Sequence, residues 1–247
     1  MRMSTQELRR ALVPLIGTMT FAAGLMGLPG VIARPASPAD LKDRGVFVYS
    51  MAGKQIGTES FEISSAKGRV ETEAKVELRV EQEGKTLDFT TSTKLVLTPD
   101  LQPQTYDWNQ KGAQSSQLQM DFRSTPATVR YRTVSGENDV RDFQLPRDVV
   151  VLDNNVIHHY QLVVRRFRQA GGGRQTFYAF IPQEALPGTL SVEEIGRESV
   201  DLGSREQKLH HLLVTTENAQ IDLWADHQDR LQKISIPLAQ LEVVRKK

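Results

Sequence analysis

The stretch Ala74-Lys75-Val76-Glu77-Leu78-Arg79-Val80-Glu81 decides the fold class, because apolar and charged side chains alternate at every step. Successive side chains of an extended chain point to opposite faces, so this stretch buries one face and wets the other. The same period continues outward. Leu87, Phe89, Thr91, Thr93, Leu95 and Leu97 extend it, and Leu118, Met120 and Phe122 alternate with Gln119, Asp121 and Arg123. Less regular strands are expected near 45–51, 54–64, 127–134, 176–181, 189–195, 208–216, 219–224, 231–236 and 240–245. Turn chemistry falls between the periodic runs, at Lys67-Gly68, Glu83-Gly84, Pro99-Asp100, Gly136-Glu137-Asn138-Asp139 and Pro187-Gly188. One-sided strands are the habit of antiparallel sheets. Short strands at near-even spacing predict a mainly β protein, a meander that curves into an incompletely closed barrel. No repeat at a fixed period is visible.

One segment breaks the pattern. In Asp153 to Gly173, Val156, Ile157, Tyr160, Val163, Val164 and Phe167 recur at helical spacing. The spacing predicts a helix over about 154–169, with Asp153 or Asn154 as its N-cap, Arg165, Arg166 and Arg168 in the last turn, and Gly171 as the C-terminal glycine. A helix with so wide an apolar face must bury it, and the concave side of the curved sheet is the available surface.

The 247 residues hold 31 basic, 30 acidic and no cysteine side chains. Disulfides, thiolate nucleophiles and cysteine-bound metals are excluded. Residues 1–33 contain three arginines and one glutamate, which leaves 28 basic and 29 acidic residues in the remainder. That balance argues against a nucleic-acid partner. Arg2, Arg9 and Arg10 precede the apolar run Ala11 to Ala33, and Val31-Ile32-Ala33 suits a cleavage site. Residues 1–33 read as a signal peptide or, if retained, an N-terminal anchor. Residues 34–43 read as a linker and 44–247 as a single β-rich domain, with the periplasm or cell envelope as its place.

Chemistry-bearing patterns are sparse. His158-His159 and His210-His211 are adjacent pairs, whereas a helical zinc pair wants a spacing of four residues. One member of each pair could still meet Asp148 or Asp153, which leaves a hydrolase or metal enzyme built on His158 and His210 as an alternative. Gly171-Gly172-Gly173 follows a helix and is no phosphate loop. No nucleophile-elbow motif occurs. No catalytic residue, metal ligand or cofactor is assigned on this basis.

Val46 to Phe61, with Gly53 and Gly57, resembles the opening hairpin of bacterial periplasmic lipoprotein-carrier-like (LolA/LolB-like) half-barrels. Leu223 to Arg245 is similar to their closing hairpin, and Lys94 to Trp108 also fits. The resemblance implies an open barrel with a helix on its concave side and no catalytic residues. It also implies a non-enzymatic role holding a lipid, a lipoprotein acyl chain or another apolar ligand. Val156, Tyr160, Val163 and Phe167 would then line the cavity from the helix, with Trp108 and Trp224 as further lining residues. Core packing accounts for the same side chains. The other expectation is an interaction module with a filled core that binds another envelope protein.

Overall fold

The computed structural model describes residues 41–246 except 83, 113–114, 134–135, 137 and 218. The expected signal segment 1–33 and linker residues 34–40 lie outside the described residues, as do Glu83 and Glu137 of the expected turns. The end of the linker belongs to the fold, because Leu41 and Asp43 are both buried. Among the described residues, no helix is long and apolar enough to cross a membrane.

The alternation produces strands where it is strongest. The first half of the chain forms β1 (Asp43–Met51), β2 (Lys54–Ala66), β3 (Arg69–Gln82), β4 (Lys85–Leu97), β5 (Pro103–Gly112), β6 (Ser116–Asp121), β7 (Ala127–Thr133) and β8 (Asn138–Phe143). The second half forms β9 (Val150–Val151), helix α1 (His158–Gln169), β10 (Gln175–Ile181), β11 (Leu186–Asp201), β12 (Glu206–Thr215), β13 (Gln220–Ala225), β14 (Leu231–Ile236) and β15 (Leu241–Lys246). All fifteen strands join one sheet in the order β8-β7-β6-β5-β4-β3-β2-β1-β15-β14-β13-β12-β11-β10-β9. The two ends of the domain therefore pair at the centre of the sheet, with Phe47 opposite Arg245. The middle of the chain carries both edges.

The sheet is curved and not closed into a barrel. Its ladder ends at β8 and β9. Side chains bring the two ends together: the Phe143 and Phe180 rings lie 4.8 Å apart, and the Tyr131 hydroxyl donates to the Pro182 carbonyl at 2.8 Å. Bulges at Tyr49/Ser50, Val96/Leu97, Glu194/Gly196 and Trp224/Ala225 add local bend. The Lys67-Gly68 turn holds both residues at positive φ, 53° and 73°, the geometry that matches the twist of a two-residue hairpin. Gly57 is required for a different reason. A Cβ there would stand 2.1 Å from the Glu77 carbonyl oxygen, so no other residue fits where β2 approaches β3.

Helix α1 lies on the concave side, and its first two turns are buried almost all round, from His158 through Val164. Val156, Val163 and Phe167 have no exposed surface, and Tyr160 has 2%. They join one core with Phe47, Phe61, Leu95, Tyr106, Leu190, Leu223 and Ile234 from both halves of the sheet. The C-terminal end matches expectation except at Arg165, which precedes the last turn: Arg166 and Arg168 sit in that turn, and Gly171 takes φ 91° while its N–H bonds the Arg168 carbonyl.

Candidate functional site: a buried polar knot under the helix

The N-terminal end of α1 differs from expectation. The helix begins at His158, and neither Asp153 nor Asn154 caps it. The cap is Glu59, from β2. Its phase explains this. Along β2, Glu59, Phe61 and Ile63 share the inward face, so the strand delivers a carboxylate into the core. Glu59 Oε2 accepts from the Ile157 N–H at 2.7 Å and the Tyr49 hydroxyl at 2.6 Å. Its Oε1 accepts from the His158 N–H at 3.1 Å and lies 2.6 Å from His158 Nδ1. The open N–H groups of a first turn attract an anion, and here a side chain some hundred residues away supplies it.

The acceptor role of Glu59 fixes the imidazole. His158 Nδ1 carries a proton toward Glu59, and Nε2 faces the Thr72 hydroxyl at 2.9 Å. Phe61 stacks on the ring at 5.6 Å. Carboxylate, imidazole and hydroxyl thus stand in the order of a hydrolase relay. Glu59, Thr72 and His158 all have no exposed surface, so no substrate carbonyl reaches Thr72 in this conformation.

A second group adjoins it. The Tyr106 hydroxyl donates to Asp153 Oδ2, and Gln183 Nε2 bonds the same carboxylate and the Tyr106 oxygen. Asp153 Oδ1 accepts from the Asn155 N–H at 3.2 Å, so the residue closes a turn before the helix. Burial pushes the Asp153 carboxyl up to about 6, against the lowering effect of the Tyr106 bond. Burial and the Glu59 charge raise the Tyr49 phenol well above its ordinary value, and burial with Asp153 does the same for Tyr106. His159 is also fully buried, edge-on to Tyr106 at 5.8 Å and to His158 at 4.6 Å. Neither of its ring nitrogens has a hydrogen-bond partner. Burial, then the neighbouring His158, lower its basicity well below the ordinary value.

A separate anchor holds the middle of the helix. Gln161 donates to Asp43 Oδ2 at 2.9 Å and accepts from the Leu231 N–H at 3.0 Å. Arg245 grips the same Asp43 carboxylate through both oxygens, at 2.6 and 2.9 Å. Burial raises Asp43, but the bonds from Arg245 and Gln161 and the charges of Arg245 and Arg230 outweigh it and hold the carboxyl below its usual range.

The other residues singled out from sequence are scattered. Trp108 is half-buried on the concave side, opposite Thr93 and Leu118, and packs against the main core. Trp224 pairs with His211 on the outer face, where it stacks on that ring at 4.8 Å and donates its indole N–H to Glu198. His210 instead meets Glu194 and Arg197, and Asp148 lies 3.7 Å from Arg166 in the last turn of α1. His158 and His210 thus hold different partners. Among the described residues, no three His, Asp or Glu side chains are grouped to hold a metal. A surface notch of about 490 Å³ crosses β2, β3 and β4, lined by Ile56, Gly57, Leu78 and Phe89 together with Arg79 and Asp88.

A family model described as "Protein of unknown function (DUF3108)" matches residues 47–239, most of both halves of the sheet and all of α1. The chain belongs to the DUF3108 family. A crystal structure of a DUF1089 family protein from Pseudomonas aeruginosa is similar to it at a TM-score of 0.40 and 14% identity, over 85% of this chain and 95% of that one. No curated protein matches this DUF3108 chain.

Proposed function

We propose that this DUF3108 chain is a non-enzymatic protein exported to the bacterial periplasm or cell envelope, where it binds another envelope protein through its outer surface. The charged and apolar pattern of residues 1–33 supports export. The observation that carries the binding reading is the filled concave side. Val156, Val163 and Phe167 have no exposed surface, so no water-sized space borders them and the helix face that would line a cavity is packed against the sheet. Large apolar side chains are instead exposed on the outside, at Val140, Tyr178, Ile195 and Leu238. The sealing of the Glu59-His158-Thr72 relay supports a role without catalysis.

The test is gentle purification from envelope fractions followed by native mass spectrometry. A stoichiometric protein partner is the expected result. A monomer carrying no protein overturns the reading.

The notch favours a second reading, in which a lipid or lipoprotein acyl chain is the ligand, as the resemblance to lipoprotein carriers implies. Its volume falls in the range of small-molecule sites, about 300–1,000 Å³, and Ile56, Leu78 and Phe89 supply the apolar part of a lining that Glu77, Arg79 and Asp88 make half polar. In the same spectra, a bound mass of lipid size that is lost on denaturation supports this reading. A bare monomer mass removes both.

A further inference from the structure

We infer that Asp153 and His159 act as a compensating buried acid–base pair, so that seating α1 in the sheet neither binds nor releases a net proton across the mildly acidic range. The inference stands on the knot and is independent of which partner the outer surface meets.

The geometry sets two opposite demands. His159 has no exposed surface, and both its ring nitrogens lack an acceptor. A protonated ring would bury two N–H donors and a charge with nothing to receive them, so the seated helix keeps this ring neutral. Asp153 is 3% exposed, and its ionised form is a buried charge held only by the neutral donors of Tyr106, Gln183 and Asn155. Gln183 faces the carboxylate with Nε2 while its Oε1 is buried and unpartnered, so turning that amide over would present an acceptor to a proton on Asp153. The seated helix therefore welcomes a proton on Asp153 and refuses one on His159. The two residues meet across the Tyr106 side chain.

The other titratable groups of the knot come from every packed element: Tyr49 on β1, Glu59 on β2, Tyr106 on β5, His158 and Tyr160 on α1, and Glu184 through Asn154. Glu59 adds negative charge near Asp153 and His158 discourages a charge on His159, so both neighbours reinforce the pattern.

The signs follow from linkage. The Asp153 carboxyl titrates near 6 in the fold and near 3.8 when exposed. Its contribution to stability is complete below the lower value and is lost as pH rises through the higher. His159 is depressed below its ordinary 6.5, so its contribution is present above that value and is lost as pH falls. Below about pH 6 the two slopes oppose each other, each at most about tenfold in the unfolding constant per pH unit.

Urea unfolding at pH 6, 5 and 4 tests this. Relative to wild type, D153N is expected to lose stability by up to about tenfold in the unfolding constant for each unit of acidification. H159F, which keeps a ring edge-on to Tyr106, is expected to gain by a similar factor. The double variant is expected to run parallel to wild type. Single variants that share the wild-type slope overturn the pairing. Titration of the wild-type protein by nuclear magnetic resonance needs no variant. It is expected to show the Asp153 carboxyl titrating near 6 and a His159 ring that stays neutral well below its ordinary value. A His159 ring that titrates at its ordinary value overturns the inference.

Discussion

The chain contains the dipeptide His-His twice, and the fold uses the two copies in opposite ways. His158 and His159 start a helix and have no exposed surface, while His210 and His211 sit on β12 and are partly exposed. On the strand the two rings point to opposite faces. His210 meets Glu194 and Arg197, and His211 stacks on Trp224 between Glu198 and Asp222. Water screens each of those contacts. On the helix both rings enter one dry knot whose polar partners come from β1, β2, β3 and β5. Burial, more than residue type, decides how much an imidazole contributes, because an unmade hydrogen bond is expensive only where water cannot replace it.

The strongest way to break this contrast is Glu59→Ala. It leaves the Tyr49 hydroxyl, two helix N–H groups and His158 Nδ1 without their acceptor. A loss of about 3–5 kcal/mol is expected in urea unfolding. The matching change on the strand side, Glu194→Ala, removes the partner of His210 and Arg168 at a site that is 30% exposed, and about 1 kcal/mol or less is expected. Equal losses at the two sites would erase the distinction. Phe167→Ala follows closely in size. It empties a fully buried site against the sheet, with an expected cost of about 3–5 kcal/mol read from the thermal midpoint. A cost under about 1 kcal/mol would mean that the concave side is not packed around the helix.

Much of this fold is legible in the chain. The alternation of residues 74–81, the Lys67-Gly68 turn and the helical spacing from Val156 to Phe167 each map onto a strand, a hairpin and a helix. The edge strand β8 is not legible, because Asn138 to Asp142 are all exposed and an exposed strand has no buried face to show a period. The knot is half legible. The phase of β2 places Glu59 with Phe61 and Ile63, and that of β3 places Thr72 with Val70 and Ala74. A charged or hydroxylated residue on the apolar phase of a strand signals a buried polar site. What it meets there is a long-range fact: Glu59 and His158 are 99 residues apart. The same gap explains the helix start. Asp153 and Asn154 have the right chemistry for capping, but Asp153 is taken by Tyr106 and Gln183, and a remote carboxylate outcompetes them.

The smallest effect sharpens the contrast from the outer side. Trp224 was expected to share a cavity with the helix, yet it pairs with His211 on the opposite face, under Lys233 at 5.6 Å. Trp108 lies on the concave side against the main core. The two tryptophans therefore report on the two faces separately. Trp224→Phe keeps an aromatic ring over His211 and loses one hydrogen bond to the exposed Glu198, so a change of about 1 kcal/mol or less is expected. His211→Ala removes the stacked ring and is expected to cost a similar amount, about 0.5–1.5 kcal/mol. The more decisive readout is emission. In Trp224→Phe the remaining fluorescence comes from Trp108, and it is expected to be quenched by iodide less than in wild type. Emission of Trp224→Phe that iodide quenches as strongly as wild-type emission would place the accessible tryptophan on the concave side and reverse the assignment of the two faces.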